Sequence, residues 1–514
     1  MINRRTFLAT SAGAGLVTSG LVMSGPALGS TAGARTRVRS GPVWGQLRDA
    51  LRGDLVLPGD AGYDKAKQLA TAQFDHVRPQ AVAYCETAED VRACVNFARE
   101  GGIPCAVRSG GHSFTGWSTS EGLVINLTRL NTVRATAPTV RVGPGIQTVD
   151  AVAALSPLGL TVPAGFCPSV SPGGFVTGGG MGWQFRKYGP ASDRLISAQV
   201  VLADGRIVTA SEQQDADLLW ALRGGGGGNF GVVTDFEMAP TKETHVVTFD
   251  LTWPWDQAQK AFTVWQDWAT AAPVGLSSRA GVVLRDAAPG KVPTLIINGA
   301  HFGGQAELEA QIAALTSAIG SPPTTSEVKE RAYDKAMMRL FGCETRTVEQ
   351  CHISGSNPEA QLPRDQFVRH RSRMFSASVP GSGVADMLAA FDADRTAGQF
   401  RYLGFLSLGG NANKVAPGDT AYVHRDAEHF AVFNVALGTP QPEPEALARA
   451  LSWVDSGFAA MDPHSNGRTY VNYPDPALAD WQQSYYGGNL ARLRSVKRAY
   501  DPNGFFRFPQ GVPA

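Results

Sequence analysis

The chain has 514 residues, more than one hydrophobic core usually organises, so we expect two lobes. Hydrophobic residues make up 43% and charged residues 18% of the sequence, as in an ordinary globular protein, and a formal net charge of +1 argues against nucleic acid as a partner. No internal apolar run reaches the roughly 18 residues that a membrane-spanning helix needs.

Residues 1–39 have the pattern of a targeting signal followed by a flexible linker. Arg4 and Arg5 precede Thr6-Phe7-Leu8 and an apolar stretch rich in small residues, which is typical of a twin-arginine signal. An ordinary secretory signal is the alternative. The pattern predicts a secreted or extracytoplasmic protein, exported folded by the twin-arginine machinery with its cofactor already loaded.

Short strands and helices alternate from Trp44 to about residue 240, which predicts an α+β lobe. Thr87 and Asp90 form a capping-box-like helix start, and Asp204-Gly205 is the dipeptide that a type I′ hairpin turn prefers. Strands are predicted at 81–85, 103–107, 123–127, 139–142, 196–202, 206–210 and 231–237, and helices at 87–101, 148–155 and 215–222.

A second lobe is predicted from residue 241 to about 462. Amphipathic helices at 307–319 and 445–458 and a strand at 294–299 replace the glycine clusters there. The remaining segment, 463–514, is aromatic and rich in Asn and Gly, and we expect it to return to the first lobe.

Six cysteines are few for an exported protein of this length. Cys85, Cys94 and Cys105 lie in apolar segments, which is typical of buried structural thiols. Cys343 and Cys351 are close enough in sequence to pair outside the cell, and the sequence leaves that pairing open. No spacing typical of metal ligands is present, so no metal site is predicted.

Two glycine-rich stretches carry side chains that packing does not explain. Cys167 lies in PAGFCPSVSPGGFVTGGGMGWQFRKYG, and His112 lies in RSGGHSFTG. Glycine-rich backbone of this kind can wrap closely around a flat ligand, and we expect both loops to meet on one. A Cys–His nucleophilic pair is the rival interpretation, but it leaves the glycine loops and the aromatic tail unexplained.

A third glycine-rich run, GGGGGNFG, has a G-x-G-x-x-G spacing at Gly226, Gly228 and Gly231. A Rossmann fingerprint needs a preceding strand and a following helix, and here that order is reversed. Clustered glycine N–H groups still favour a phosphate- or adenine-contacting loop of another geometry. The backbone amides that follow Arg108 can hold a pyrophosphate in the same way.

Together these motifs resemble the berberine-bridge-enzyme-like branch of the FAD-linked oxidases, which share the vanillyl-alcohol-oxidase or PCMH-type flavin-binding fold. The resemblance covers residues 79–236, His424-Arg425 and 470–512, through RSGGHS, GFCPSV, GGGMGWQFRKYG and YVNY…YYGGN…RL…DPNGFF. It implies an α+β fold in two lobes: a PCMH-type FAD-binding domain at 40–240, a substrate-binding domain with an antiparallel sheet and helices at 241–462, and a berberine-bridge-like C-terminal segment at 463–514.

The resemblance also implies a bicovalently attached FAD, with His112 bonded to the flavin 8α-methyl carbon and Cys167 to ring carbon 6. Such attachment prevents loss of the cofactor outside the cell and makes the ring a better hydride acceptor, while the protein positions substrate and base. The further cofactor-binding residues it implies are Arg108, Ser109, Gly110, Gly111, Ser113, Val170, Gly173, Gly174, Gly178, Gly228, Gly231, Val232, Asn472, Tyr486 and Asn489.

Tyr473 and Tyr470 are the catalytic residues that the resemblance implies, with Tyr473 accepting the proton of a substrate hydroxyl. A tyrosine needs nearby positive charge or hydrogen bonds to act as a base near neutral pH, and packing at the lobe interface is the alternative role. Val170 matches the family's gate position, where a small side chain leaves room for O2 and so favours an oxidase that releases H2O2.

Three positions depart from the family pattern. Phe114 replaces a tyrosine of many relatives, and Met181 replaces a tyrosine that several relatives, including sugar oxidases, pair with the base. Ala431 stands where the berberine bridge enzyme has a catalytic glutamate. These departures argue against berberine-bridge closure, weaken a sugar-oxidase assignment and favour an apolar ligand such as a polyketide, terpenoid or aglycone.

The sequence therefore predicts a secreted FAD-dependent oxidase that moves a hydride from the carbon of an alcohol, with a secondary metabolite as the favoured alcohol, to flavin N5, with O2 reduced to H2O2. A carbohydrate or oligosaccharide oxidase and an amine or C–C-bond-forming oxidase are alternatives within the class. A flavin-loaded binding protein without turnover is the alternative outside it.

Overall fold

Three β-sheets organise the part of the chain that the structure, a computed structural model, describes: residues 43–514. The predicted twin-arginine signal and linker, residues 1–39, lie outside the described residues. Within residues 43–514, no helix is both long enough and apolar enough to cross a bilayer. Residues 44–514 pack as one compact unit.

The first two sheets come from residues 54–238. A four-stranded sheet has the order β1-β2-β4-β3, with β4 parallel to β2 and β3, and a five-stranded antiparallel sheet has the order β5-β6-β9-β7-β8. The strands are β1 (Asp54–Val56), β2 (Ala81–Tyr84), β3 (Cys105–Arg108), β4 (Leu123–Asn126), β5 (Val133–Thr136), β6 (Thr139–Val142), β7 (Leu195–Val201), β8 (Ile207–Ala210) and β9 (Val232–Met238).

Seven α-helices lie between residues 44 and 222: α1 (Trp44–Ala50), α2 (Tyr63–Ala66), α3 (Ala88–Gly101), α4 (Thr148–Leu155), α5 (Pro172–Phe175), α6 (Phe185–Tyr188) and α7 (Ala216–Leu222). The predicted capping box is confirmed, because Thr87 accepts the Asp90 N–H and Asp90 in turn accepts the Thr87 N–H. Gly102 ends α3 in the left-handed conformation, at a φ of 63°.

The predicted type I′ turn between β7 and β8 is wrong. That turn needs positive φ at both central residues, and only Gly205 has it, at 87°. The Gly205 N–H instead donates to the Leu202 carbonyl at 3.0 Å, and the Leu202 N–H donates to the Arg206 carbonyl at 2.9 Å. The hairpin therefore closes through a three-residue loop with its left-handed glycine last.

The third sheet has seven antiparallel strands in the order β13-β10-β12-β11-β15-β16-β14. One face packs against helices to form the largest core, in which Ala280, Phe405, Phe433 and Trp453 are buried. The strands are β10 (His245–Trp253), β11 (Leu276–Leu284), β12 (Thr294–His301), β13 (Thr325–Ala332), β14 (Phe367–Phe375), β15 (Gln399–Ser407) and β16 (His429–Leu437), and the helices are α8 (Ala258–Ala271), α9 (Gln305–Ile319), α10 (Tyr333–Leu340), α11 (Gly381–Asp392) and α12 (Pro444–Met461).

A disulfide joins Cys343 and Cys351, whose Cα atoms are 5.8 Å apart, and so answers the pairing that the sequence left open. Cys85 and Cys94 are buried free thiols, as predicted, whereas Cys105 is only half-buried because it borders a cavity.

The C-terminal segment packs on the core of the five-stranded sheet through α13 (Trp481–Tyr486) and α14 (Leu490–Tyr500). The Lys497 ammonium is buried, and it donates to the carbonyls of Asn229 and Phe506, each at 2.6 Å, and to the Asp501 carboxylate at 2.7 Å. This buried pair ties the tail to the loop before β9.

We expect Lys497→Met to lower the free energy of unfolding by about 3 kcal/mol, because Asp501 would then be buried without its partner. Denaturant unfolding of the purified protein measures this. Arg498→Met, at the exposed neighbouring position, should change it by less than about 0.5 kcal/mol. Equal unfolding midpoints for Lys497→Met and the wild type would contradict the anchoring role.

Candidate active site and cofactor cleft

One cavity of about 310 Å³ lies between the glycine-rich loops and the seven-stranded sheet. The loops after β3, around Cys167 and before β9 line it, together with the 470–474 segment, the C-terminal tail, and Leu406 and Phe430 of the sheet. The predicted site residues that line it are Ser109, Gly110, Gly111, His112, Ser113, Cys167, Val170, Gly173, Gly174, Gly228, Gly231, Val232, Tyr470, Asn472 and Tyr473.

His112 and Cys167 face this cavity from two different loops. Nε2 of His112 lies 2.8 Å from the Ser169 hydroxyl, and burial lowers the pKa of the imidazole to about 4, so the ring is neutral at neutral pH. The Cys167 side chain is exposed to the cavity. The surrounding walls raise the pKa of its thiol, with Asp365 adding to the rise and the Arg279 charge opposing it.

The loop after β3 presents a row of unpaired backbone donors. Within residues 43–514, the six consecutive N–H groups from Gly110 to Thr115 have no protein hydrogen-bond acceptor. Gly111 is left-handed, at a φ of 71°, which turns successive amides toward a common centre. Such a concave row of donors suits a pyrophosphate.

Two glycines leave the cavity wall bare. A Cβ atom on Gly174 would have no protein atom within 4 Å, and one on Gly228 would contact only Phe508, at 3.9 Å. Both residues line the cavity, so an added side chain would project into the space rather than into protein. Backbone without side chains at these points fits a flat ligand held against it.

The two predicted catalytic tyrosines differ in their hydrogen bonds. The Tyr470 hydroxyl accepts from the Gly180 N–H at 2.7 Å and from the Asn472 amide at 3.0 Å. The Tyr473 hydroxyl has no partner among the described residues, and its ring packs against Phe430 and Phe114 at 5.0 and 5.3 Å between centroids. Of the two tyrosines, Tyr473 is therefore the one whose hydroxyl oxygen makes no hydrogen bond within residues 43–514.

Burial raises the pKa of both phenols. It raises the pKa of Tyr470 to about 12, against the opposing effect of its two N–H donors. Burial also raises the pKa of Tyr473, with Cys167, Tyr402 and Tyr470 adding to the rise and the Arg279 charge opposing it. Both phenols are protonated at neutral pH in this structure.

The sheet side of the cavity is largely apolar. Phe114 and Met181 line it with Leu406 and Phe430, and Met181 is buried among aromatic side chains. Two of the positions that depart from the family pattern, Phe114 and Met181, therefore lie on the apolar side of the cavity.

Two predicted cofactor-binding residues near the glycine loops do not line the cavity. The Arg108 guanidinium points away from it and donates to the Ala66 carbonyl at 2.6 Å and the Ser118 carbonyl at 3.1 Å, so it holds the loops behind the site. Gly178 makes room for Asn472, because a Cβ there would collide with that side-chain amide.

Tyr486 and Asn489 also lie outside the cavity. Tyr486 is fully buried behind the glycine loop, and its hydroxyl would lie 3.6 Å from a Cβ on Gly226. The Asn489 amide donates to the Pro417 carbonyl at 2.7 Å and the Thr420 carbonyl at 3.0 Å. Both residues support the wall rather than form it, a distinction that spacing in sequence does not carry.

Trp117 and four residues of the tail line the cavity without having been predicted as site residues; the four are Phe506, Arg507, Phe508 and Gln510. Trp117 and Phe508, 5.3 Å apart between ring centroids, also border a second, adjoining cavity of about 720 Å³. For the tail residues, the DPNGFF motif at 501–506 was a signal, because it belongs to the C-terminal segment that matches the family pattern.

Comparison with known proteins decides the family. The family described as FAD binding domain matches residues 79–211, and the family described as berberine and berberine like matches residues 469–513. YvdP, an uncharacterised FAD-linked oxidoreductase of Bacillus subtilis, is 31% identical over 474 residues, covering 90% of this chain and 98% of YvdP. The chain belongs to the berberine-bridge-enzyme-like FAD-linked oxidoreductases.

Further relatives of this berberine-bridge-enzyme-like protein agree. The chitooligosaccharide oxidase of Gibberella zeae is 28% identical over 455 residues, covering 84% of this chain and 87% of the oxidase. The solved structure of BBE-like 1 from Physcomitrella patens superposes with a TM-score of 0.81 at 24% identity, covering 91% of this chain and 98% of that one. That likeness confirms the predicted α+β FAD-binding fold.

FAD is the cofactor of the family, and the residues of the cavity fit it. The unpaired amides from Gly110 to Thr115 suit its pyrophosphate, and the bare backbone at Gly174 and Gly228 suits a flat ring system. The chain is thus an FAD-linked oxidoreductase, and Tyr473 lines the cavity that fits FAD.

We expect Gly174→Val to fold normally but to contain at least about tenfold less FAD, because a side chain that projects into the cleft blocks the close approach of a flat ring to this backbone. The added side chain meets no protein atom and occupies cofactor space. Flavin absorbance per protein and the thermal midpoint measure the two effects. Gly438→Val is the matched control, since a Cβ there is equally free of contacts but lies outside the cavity. Full FAD content in Gly174→Val would contradict the assignment.

Proposed function

We propose that this protein is a bicovalently flavinylated, extracytoplasmic oxidase that converts an alcohol to a carbonyl compound while O2 becomes H2O2. The observation that carries the proposal is that His112, Cys167 and Tyr473 border one cavity in a chain of this family. When bound, FAD would accept a hydride from the alcohol carbon and pass two electrons to O2, so CH–OH and O2 become C=O and H2O2.

His112 and Cys167 would tether the cofactor. Nε2 of His112 is occupied by Ser169, so Nδ1, which has no partner among the described residues, is the nitrogen left to form a bond. The neutral state of this imidazole leaves that nitrogen's lone pair available at neutral pH. Each of the two bonds would form with loss of one hydrogen from the side chain (N–H or S–H) and one hydrogen from the cofactor carbon. One O2 for each bond would take up these two hydrogens and become H2O2.

Tyr473, as the phenolate that remains after its own proton is lost to solvent, would accept the proton of the substrate hydroxyl. Its oxygen is free, whereas the Tyr470 oxygen is held by two N–H donors and so suits a positioning role. The raised pKa of Tyr473 is an obstacle to this role, and the Arg279 charge is the protein group that opposes the rise.

O2 is the proposed electron acceptor because Val170, a small side chain, lines the cavity at the predicted gate position. Thr148 holds the gate in place, since its backbone N–H and its hydroxyl donate to the Val170 carbonyl at 2.9 and 2.8 Å.

The hydroxyl of a secondary metabolite is the substrate that we favour, because Phe114, Met181, Leu406 and Phe430 make the substrate side apolar. A carbohydrate is the second candidate. The chitooligosaccharide oxidase of Gibberella zeae, a relative over most of its length, favours it.

We propose export by the twin-arginine route on the strength of Arg4-Arg5-Thr6-Phe7-Leu8. The Cys343–Cys351 disulfide supports an oxidising location, where such bonds persist.

The tethers are tested by denaturation, which does not break covalent bonds. Acid-precipitated wild-type protein should stay yellow, His112→Ala and Cys167→Ala should each keep one tether, and the double variant should release all flavin. Cys105→Ala is the matched control, since Cys105 also lines the cavity but is not a proposed tether. A colourless wild-type precipitate, or a yellow double variant, would refute the attachment sites.

The reaction is tested with secondary alcohols, oligosaccharides and amines, by H2O2 release and by bleaching of the flavin without oxygen. Tyr473→Phe should lower the oxidation rate about 10²- to 10⁴-fold with the flavin still attached, because it removes only the proton acceptor. Tyr333→Phe, which removes a buried hydroxyl elsewhere, should change nothing. An undiminished rate in Tyr473→Phe would exclude it as the base. Lasting yellow colour with every compound would instead indicate a flavin-loaded binding protein.

A further inference from the structure

Arg279 lies beside the substrate side of the cavity. It is on β11, and its cross-strand partner on β15 is Leu406, which lines the cavity. Its guanidinium carbon is 5.6 Å from the ring centre of Phe166, another lining residue, and 4.8 Å from that of Trp183. The cation is therefore held at the edge of the cavity by aromatic faces.

A chain of hydrogen bonds fixes the orientation of this guanidinium. Nε of Arg279 donates to the Asn298 side-chain oxygen at 3.2 Å, and the Asn298 amide donates to Asp250 at 3.0 Å. Arg339 completes the chain by donating to the other Asp250 oxygen at 2.8 Å. Since only Nε is used, Nη1 and Nη2 of Arg279 have no partner within residues 43–514.

The other arginines of the seven-stranded sheet are satisfied. Arg331, Arg369, Arg371 and Arg373 each bond a carboxylate, at distances from 2.6 to 3.2 Å. Arg401 donates to carbonyl oxygens, among them that of Asp394 at 2.6 Å. Among the described residues of this sheet, Arg279 alone keeps a terminal pair of donors without an acceptor, and it does so next to the cavity.

Two polar side chains continue this edge of the site. Tyr402 and Asn434 are cross-strand partners on β15 and β16, both half-buried, and neither side chain has a hydrogen-bond partner among the described residues. Tyr402 packs over Gly281 and Gly404, two residues without side chains, on the same face as Arg279. Arg279, Tyr402 and Asn434 thus form a polar strip on the same face of the sheet as Leu406 and Phe430, next to the apolar part of the cavity wall.

We propose that Arg279 binds a carboxylate of the substrate, so that the substrate class is an alcohol that carries an acid group. The free Nη1–Nη2 end matches the two oxygens of a carboxylate and allows two parallel charge-assisted hydrogen bonds. This proposal rests on the proposed oxidase function and narrows its substrate class.

The same charge acts on the reacting end of the site. It lowers the pKa of Tyr473 and of the Cys167 thiol, in each case against a larger rise from burial. A carboxylate bound at Arg279 therefore lies within electrostatic reach of Tyr473.

The experiment compares four hydroxy acids (mandelate, 3-hydroxybutyrate, 4-(1-hydroxyethyl)benzoate and glucuronate) with their methyl esters, by peroxide release from the flavin-loaded protein. We expect the wild type to prefer at least one acid over its ester. Arg279→Met should lower kcat/KM for that acid at least about tenfold and change the ester less than about twofold, because two charge-assisted hydrogen bonds are lost. Arg279→Lys should recover only part of the loss, because it keeps the charge but not the fork.

A binding measurement separates this proposal from the proposed function. Benzoate should raise the thermal midpoint of the wild type but not of Arg279→Met, and neutral benzamide should affect both proteins equally. Arg285→Met, which removes an exposed cation just after β11, is the matched control and should behave as the wild type does. If no alcohol releases peroxide but benzoate binds through Arg279, the oxidase function fails and the anion site stands.

Three results would overturn the carboxylate site. The first is equal stabilisation by benzoate of the wild type and Arg279→Met. The second is equal oxidation of every acid and its ester. The third is that Arg279→Met loses the same rate on acids and on esters and has a shifted pH profile, while Arg279→Lys fully restores the rate. The cation would then act only on Tyr473 and would not bind the substrate carboxylate.

Discussion

The contact between the His112 loop and the Cys167 loop is the constraint on which the site depends. A Cβ on Gly110 would lie 2.9 Å from the Ser169 carbonyl oxygen, and one on Gly173 would lie 2.7 Å from the Ser109 hydroxyl. The two backbones approach so closely only because these positions lack side chains. His112 and Ser169 then meet at 2.8 Å, and both loops border one cavity.

Burial in that cavity decides the charge states of its side chains. It keeps the His112 imidazole neutral and both tyrosines protonated, because a low-dielectric wall disfavours every isolated charge. Arg279 stays apart from the carboxylates that pair with its neighbours in the sheet. Its charge opposes the rise in pKa that burial causes at Tyr473 and Cys167.

Much of the secondary structure between residues 44 and 238 could be predicted from local patterns. The capping box at Thr87, most strands and helices, and the glycine loops follow from nearest neighbours in sequence, so they were recognisable. The type I′ turn predicted at Asp204-Gly205 was wrong, because Gly205 has positive φ and Asp204 does not. Arg108, Gly178, Tyr486 and Asn489 belong to the right motifs but support the cavity from behind, since a motif records proximity along the chain rather than the direction of a side chain.

The sequence by itself determined the family and the FAD-binding fold, and it singled out the glycine-rich loops of His112 and Cys167 that line the cavity, because these motifs are local in sequence. Only the tertiary structure decided which tyrosine has a free oxygen, whether Cys343 and Cys351 pair, and that Arg279 lies beside the site. Those features depend on the register of distant antiparallel strands and on the packing of the tail. Such contacts join residues far apart in sequence, and their geometry is set only when the whole core closes.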